Sequence, residues 1–210
     1  MNAERWTDEM FEADAQSLAR SLLGATLVRR LTNGSRLTGT IVETEAYLGV
    51  MDRAAHSYGG RRTRKNETMY AAAGTSYVYL IYGMYHCFNV VCGRVDEPTA
   101  VLVRALEPRE GLEAMRISRP KARRERDLCS GPGKLCQALS IDRSLDGLSL
   151  ATSNGLFIEG ASGPPPGSNV VRAARVGVDY AGEWADKPLR YYLDGSEHVS
   201  KKVPAGRKMR

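Results

Sequence analysis

T-G-T-I-V-E-T-E-A-Y-L, residues 38–48, alternates as a β-strand does. With a side-chain period of two, Ile41, Glu43, Glu45 and Tyr47 share one face, and Val42, Thr44, Ala46 and Leu48 share the other. The second set is a core face. The first lines up two carboxylates and a phenol, each roughly 7 Å from the next at a rise of about 3.3 Å per residue. Glutamates spaced in this way on an antiparallel strand ordinarily face water, whereas a polar face that ends in an aromatic ring suits the wall of a pocket. On this stretch alone both readings stand.

Working outward, the strand has a ready partner. Residues 25–31 read as a strand, and Asn33 with Gly34 marks the tight turn that makes the two a hairpin. Upstream, Asp14 can cap a helix whose apolar Ala15, Leu18, Ala19 and Leu22 follow helical spacing, with Gly24 past its end; it is expected to lie over the sheet. Downstream, residues 49–69 form a loop of about twenty residues rich in Arg and Lys, a length that in a compact domain marks function or disorder. Its cations suit phosphates.

Residues 76–89, S-Y-V-Y-L-I-Y-G-M-Y-H-C-F-N, read as a second hairpin. Its tip, Tyr82-Gly83-Met84-Tyr85, carries bulky groups where Gly, Asn, Asp or Ser is usual, so it either packs on the body or inserts into a partner. Residues 99–106, T-A-V-L-V-R-A-L, form a buried strand with one charge, Arg104, which needs an anion beside it; Glu43 and Glu45 are the candidates. Residues 110–116 read as a helix and the basic run 119–126 as a solvated loop. At 129–134, C-S-G-P-G-K leads into an apolar helix start, where backbone N–H groups and Lys134 suit a phosphate. The G-x-x-x-x-G-K-[ST] spacing of nucleotide hydrolases is absent. Residues 189–193 read as a late strand.

The chain of 210 residues has the size of one domain, with tails at 1–10 and 201–210 expected to be flexible. Its 30 Lys and Arg against 24 Asp and Glu give a net charge of +6, which favours an anionic partner, nucleic acid before a membrane surface. No stretch approaches the roughly 18 consecutive apolar residues of a membrane span, and the amino terminus lacks a signal-peptide layout, so an intracellular setting is expected. Cys87, Cys92, Cys129 and Cys136 form no C-x-x-C pair and have no His at zinc-finger spacing; they are expected to be buried thiols, with no metal.

I-V-E-T-E-A-Y-L-G, the following A-A-H-S, Y-V-Y-L-I-Y-G-M-Y with Asn89, V-R-A-L-E-P, L-C-S-G-P-G-K-L-C-Q-A-L and A-R-V-G-V-x-x-A-G-E-W together resemble the alkyladenine (3-methyladenine) DNA glycosylase family. The blocks run in order from about residue 15 to about residue 200. The resemblance implies a single α+β domain with a curved, mainly antiparallel sheet, flanking helices and a protruding hairpin. It implies a monomer without cofactor that excises damaged purines from double-stranded DNA. Carried residue by residue, it makes Glu45 the carboxylate that activates water and Arg104 the arginine that holds that water and the adjoining phosphate. Tyr47, His56 and Tyr79 match the walls around the extruded base, Asn89 the screen against guanine's exocyclic amine, and Tyr82 the aromatic that fills the gap in the duplex. Met84, Thr63, Lys65, Lys134 and Gly177 are expected at the DNA surface with it. Glu43 is read as a supporting partner rather than a second acid. Tyr180 stands where some members carry His, and Lys65 where an Arg is expected.

Physics supports the transfer, because a stacked base hides its glycosidic bond and must be extruded at a cost of a few kcal/mol, which a wedge side chain offsets. Two other readings remain: a strand-cutting glycosylase with a Lys134 or Lys65 Schiff base, and a non-enzymatic binder of damaged nucleic acid.

Overall fold

The computed structural model describes residues 4–203. Asp14 Oδ1 accepts the backbone N–H groups of Gln16 and Ser17 at 2.9 and 3.0 Å, which starts helix α1 (Ala15–Ser21) and buries Leu18, Ala19 and Leu22 completely. β1 (Thr26–Arg30) and β2 (Arg36–Tyr47) form the expected first hairpin around Gly34. β3 (Ser76–Ile81) and β4 (Tyr85–Cys92) form the second, followed by β5 (Thr99–Pro108). Helices α2 (Leu112–Ser118), α3 (Arg126–Cys129) and α4 (Pro132–Ala138) come next, then β6 (Leu156–Glu159), β7 (Val170–Ala173) and β8 (Arg190–Leu193). The helix expected from residue 110 starts two residues later, because Gly111 adopts a left-handed φ of 78° just before it.

Among the described residues the eight strands make one curled antiparallel sheet in the order β3-β4-β5-β2-β1-β6, with β8 added to β2 and β7 to β8. β2 is the spine. β5 runs along one of its edges from Gly39 to Tyr47, while the other edge is shared, Arg36 to Thr40 by β1 and Glu43 to Glu45 by β8. At Gly39 a Cβ would lie 2.9 Å from that of Leu106, so glycine lets the two strands close.

Where β2 changes partner, its register against β5 slips between Ile41 and Glu43 and again between Glu43 and Thr44. Such irregularity bends a strand and breaks its alternation. This corrects the simple period-two reading at one position: Ile41 packs into the main apolar cluster with Val42 and Ala46, while Glu43, Glu45 and Tyr47 keep the opposite face. The same division runs across the sheet. Val78, Phe88, Val90, Val101, Val103 and Ala105 join the main cluster beneath the helices, and the intervening residues of β3, β4 and β5 face a cavity.

Within the amino-terminal stretch, Arg5 forms an isolated β-bridge with Glu159, and Trp6 is buried with its indole N–H donating to Gly160 O at 3.0 Å. At the other end Arg190 holds Lys201 O at 2.6 Å; the other residues expected as tails, 1–3 and 204–210, lie outside the described residues. The long basic loop is held in short 3-10 turns, Gly49–Met51, Tyr58–Gly60 and Glu67–Tyr70. Among the described residues no helix is long and apolar enough to cross a membrane.

Candidate active site

The cavity occupies about 610 Å³ on the polar face of β2 to β5. Tyr47, Arg104, Asn89, Tyr77 and Tyr79 reach it from the strands, His56 and Ala54 from the basic loop, Pro132 and Gly133 from the start of α4, and Val176, Gly177 and Tyr180 from the segment before β8. Aromatic rings with a few converging polar groups are the usual lining of a ligand site.

Glu45 lies beneath its floor with no exposed surface. Its Oε1 accepts the Val176 N–H at 2.8 Å and faces Arg104 Nη1 at 3.3 Å; its Oε2 accepts the Tyr47 hydroxyl at 3.0 Å. All three partners line the cavity. A carboxylate has about four acceptor directions, so one, on Oε2, is left for a water or substrate group. Burial, and then the Glu45 charge, push the Tyr47 phenol well above the usual tyrosine range, so Tyr47 remains a donor. Glu43 is also fully buried; Arg104 Nε stands 3.5 Å from it and Arg190 Nη1 donates to it at 2.7 Å. Arg104 therefore has the anion the sequence demanded, twice over.

A second ring cluster forms the side wall. His56 and Tyr79 meet edge to face with centroids 4.6 Å apart, and Tyr77 lies 5.3 Å from Tyr79. Burial raises the Tyr77 and Tyr79 hydroxyls, while burial and then the Arg61 charge lower His56, so at neutral pH the imidazole is uncharged. Its Nδ1 lies 2.8 Å from the Tyr77 hydroxyl; with Tyr77 as donor, the ring carries its proton on Nε2. Asn89 Nδ2 donates to Tyr77 O at 3.0 Å, which fixes the amide's orientation at the wall. Cys87 also lines the cavity, and burial raises its thiol, so it is a neutral neighbour of the rings.

At the hairpin tip Tyr82 is 80% and Met84 66% exposed, so neither packs on the body, whereas Tyr85 lies against Gly133. Tyr82 also has a left-handed φ of 53°, a conformation that costs an ordinary residue on the order of 1–2 kcal/mol. Strain of this kind collects at functional positions, and Tyr82 borders the cavity mouth together with Gly177. The other surface candidates lie further out. Lys134 is exposed on α4, one residue beyond Gly133, with its Nζ 3.5 Å from Ser130 Oγ. Thr63 closes a turn on Asn66 through its N–H and hydroxyl, and Lys65 is exposed beside it; neither lines the cavity.

Several groups that build the site were not singled out from the sequence. Asp52 and Arg175 form a fully buried bidentate pair, and Arg175 also donates to Ala46 O at 2.9 Å and stacks over Tyr47 at 4.7 Å. This pair ties the turn after β2 to the segment that presents Val176 N–H. The signal was an Arg in an apolar context, A-R-V-G-V, the same signal that pointed to Arg104. Tyr77 alternates with Tyr79 on β3, so period two would have found it. Among the described residues no three His, Cys, Asp or Glu side chains could hold a metal ion. All four cysteines are buried and unpaired.

A family profile described as methylpurine-DNA glycosylase (MPG) matches residues 9–197. The chain is 52% identical to the DNA-3-methyladenine glycosylase of Homo sapiens over 200 residues, which cover 91% of this chain and 66% of that protein. It is 52% identical to the protein of the same name from Mus musculus over 203 residues, 91% of this chain and 60% of that protein. It is 47% identical to the putative 3-methyladenine DNA glycosylase of Desulfitobacterium hafniense (strain Y51), covering 92% of this chain and 97% of that one. The chain thus spans less than two thirds of the mammalian relatives and nearly all of the bacterial one.

Proposed function

Because the chain belongs to the methylpurine-DNA glycosylase family, we propose that it is a monofunctional DNA glycosylase. It rotates an alkylated or deaminated purine out of duplex DNA into the cavity and hydrolyses the N-glycosidic bond, which begins base excision repair. The observation that carries this reading is Glu45, bound by three donors beneath a floor of aromatic rings, with one acceptor direction unused.

In this mechanism the nucleotide seats its base among Tyr47, His56 and Tyr79, where an electron-poor alkylated purine stacks favourably on electron-rich rings. Its arrival opens a water's width beside Glu45 Oε2. Glu45 accepts a proton from that water as its oxygen bonds to the sugar carbon and the bond to the purine breaks. Arg104 holds the carboxylate and faces the adjoining phosphate. A cationic purine leaves with the bonding electrons as a neutral base, so the carboxylate suffices; a neutral deaminated purine leaves as an anion and takes up a proton, balancing the one Glu45 removes from the water. Asn89 excludes the exocyclic amine of guanine. Tyr82 takes the vacated place in the stack with Met84 beside it, while Thr63, Lys65, Lys134 and Gly177 face the DNA backbone. The protein acts as a monomer in an intracellular, DNA-associated setting.

The test is single-turnover product analysis on duplexes that each carry one modified purine: 3-methyladenine, 7-methylguanine, hypoxanthine or ethenoadenine. Release of free base from at least one, with an intact strand and no borohydride-trapped adduct, is expected. A trapped adduct would instead favour the lysine mechanism, although Lys65 and Lys134 are both exposed outside the cavity. Binding without release would favour the non-enzymatic reading.

A further inference from the structure

Beside the cavity floor lies a buried arginine that does not line the cavity and whose guanidinium bonds to groups other than the Glu45 carboxylate. Arg190 opens β8, directly across from Glu45 in the strand register, and is 3% exposed. Its Nε donates to Ala174 O at 2.7 Å; its Nη1 donates to Glu43 Oε1 at 2.7 Å and to Lys201 O at 2.6 Å. Glu43 Oε2 is occupied in turn by Ser200 N–H at 2.6 Å.

These bonds lead to Glu45 by two routes. Through Glu43, Arg190 fixes the anion beside Arg104 Nε, and Arg104 Nη1 faces Glu45 Oε1. Through Ala174 O, it fixes the chain two residues before Val176, whose N–H donates to the same Glu45 oxygen. Both donors on Glu45 Oε1 are therefore linked to one guanidinium, the Val176 amide sharing its support with the Asp52–Arg175 pair. The charges alternate along the first route, carboxylate, arginine, carboxylate, arginine, so each buried ion has a partner. Only a planar fork with several donors can make these contacts at once; an ammonium offers a single centre.

We infer that Arg190 is a positioning residue for the glycosylase reaction. It holds Arg104 and Val176 against Glu45, with Glu43 as the intermediary and residues 200–201 as the rear brace. The inference rests on Glu45 being the water-activating group. It assigns Glu43 a purpose other than acid catalysis: Glu43 neutralises two arginines and transmits the placement of one to the other.

The experiment compares Arg190→Met and Arg190→Lys with the native protein by three measurements. These are single-turnover base release, affinity for lesion-bearing duplex, and amide hydrogen exchange at Val176 with Leu27 and Val28 as core references. Displacement of a reacting group by about 1 Å costs on the order of 100-fold in rate, so release is expected to fall ~100-fold in Arg190→Met. Arg190→Lys is expected to recover only part of that loss, with affinity within about 3-fold of native in both, since Arg190 lies off the DNA face. Val176 exchange should accelerate while Leu27 and Val28 stay protected. Native rates, or an unchanged Val176 amide, in either variant overturn the inference. So does a uniform loss of affinity, protection and rate in Arg190→Lys, which would mark a merely structural residue. If the native protein releases no base, the functional reading falls, and the Val176 exchange still decides whether Arg190 positions that amide.

Discussion

Replacing Glu45 by glutamine removes one charge and almost no volume, and each consequence follows from the three contacts. The amide oxygen can keep the Val176 N–H at 2.8 Å, and the amide nitrogen can donate to the Tyr47 oxygen, 3.0 Å away in the native chain, so the floor should stay closed. What is lost is one of the two anions facing Arg104, which retains Glu43 at 3.5 Å. Removing a hydrogen-bonded charge partner costs about 1.5–3 kcal/mol. Full breakage of a buried pair costs about 3–5 kcal/mol; the surviving Glu43 places Glu45→Gln at about 2 kcal/mol, or a fall in Tm of about 4–8 °C in a domain this size. The rate effect should be far larger, because an amide cannot accept the water's proton. Loss of a general base costs about 100- to 10,000-fold. Affinity for lesion-bearing duplex should hold, since no DNA-facing group changes. The assay is single-turnover release at saturating protein, with binding by fluorescence anisotropy and folding by thermal melts. A folded Glu45→Gln protein that releases base within a few-fold of the native rate would refute the assignment.

Other outcomes follow from the same geometry. Tyr82→Ala should reduce the preference for lesion-bearing over undamaged duplex by about 5- to 150-fold, the equivalent of the ~1–3 kcal/mol of one stacked base; an unchanged ratio in competition binding would remove the wedge assignment. Asp52→Ala strands the fully buried Arg175 and should cost about 3–5 kcal/mol in urea denaturation, whereas a loss under about 1 kcal/mol would mean that the pair does not hold the turn. His56 binds its proton less readily in the folded chain than in the unfolded one, so its contribution is complete above the unfolded value of about 6.5 and is lost as pH falls through the lower folded value. Native stability relative to His56→Gln should therefore decline on acidification below about pH 6.5; a flat difference would contradict a neutral imidazole at the cavity wall.

Much of this arrangement was legible in the residues. Strand alternation at 38–48 placed Glu43, Glu45 and Tyr47 on one face, the apolar run around Arg104 demanded an anion, and Asp14, Gly34 and the bulky tip at Tyr82 marked local structure correctly. These are effects of neighbours a few positions apart, where dihedral preference and side-chain period act within one element. Tertiary structure decided what the glutamates face. A strand pattern says that residues share a side, but whether that side meets water or rings depends on what closes over it. Here it is Val176 from a segment 131 residues beyond Glu45 that does so. It also decided the slip that sends Ile41 to the core, because register belongs to a pair of strands and is written in neither alone. The pairings of Asp52 with Arg175 and of Glu43 with Arg190 span 123 and 147 residues. A lone charge in a sequence states a need, and only the packed chain, with its low dielectric and its fixed distances, selects the partner that meets it.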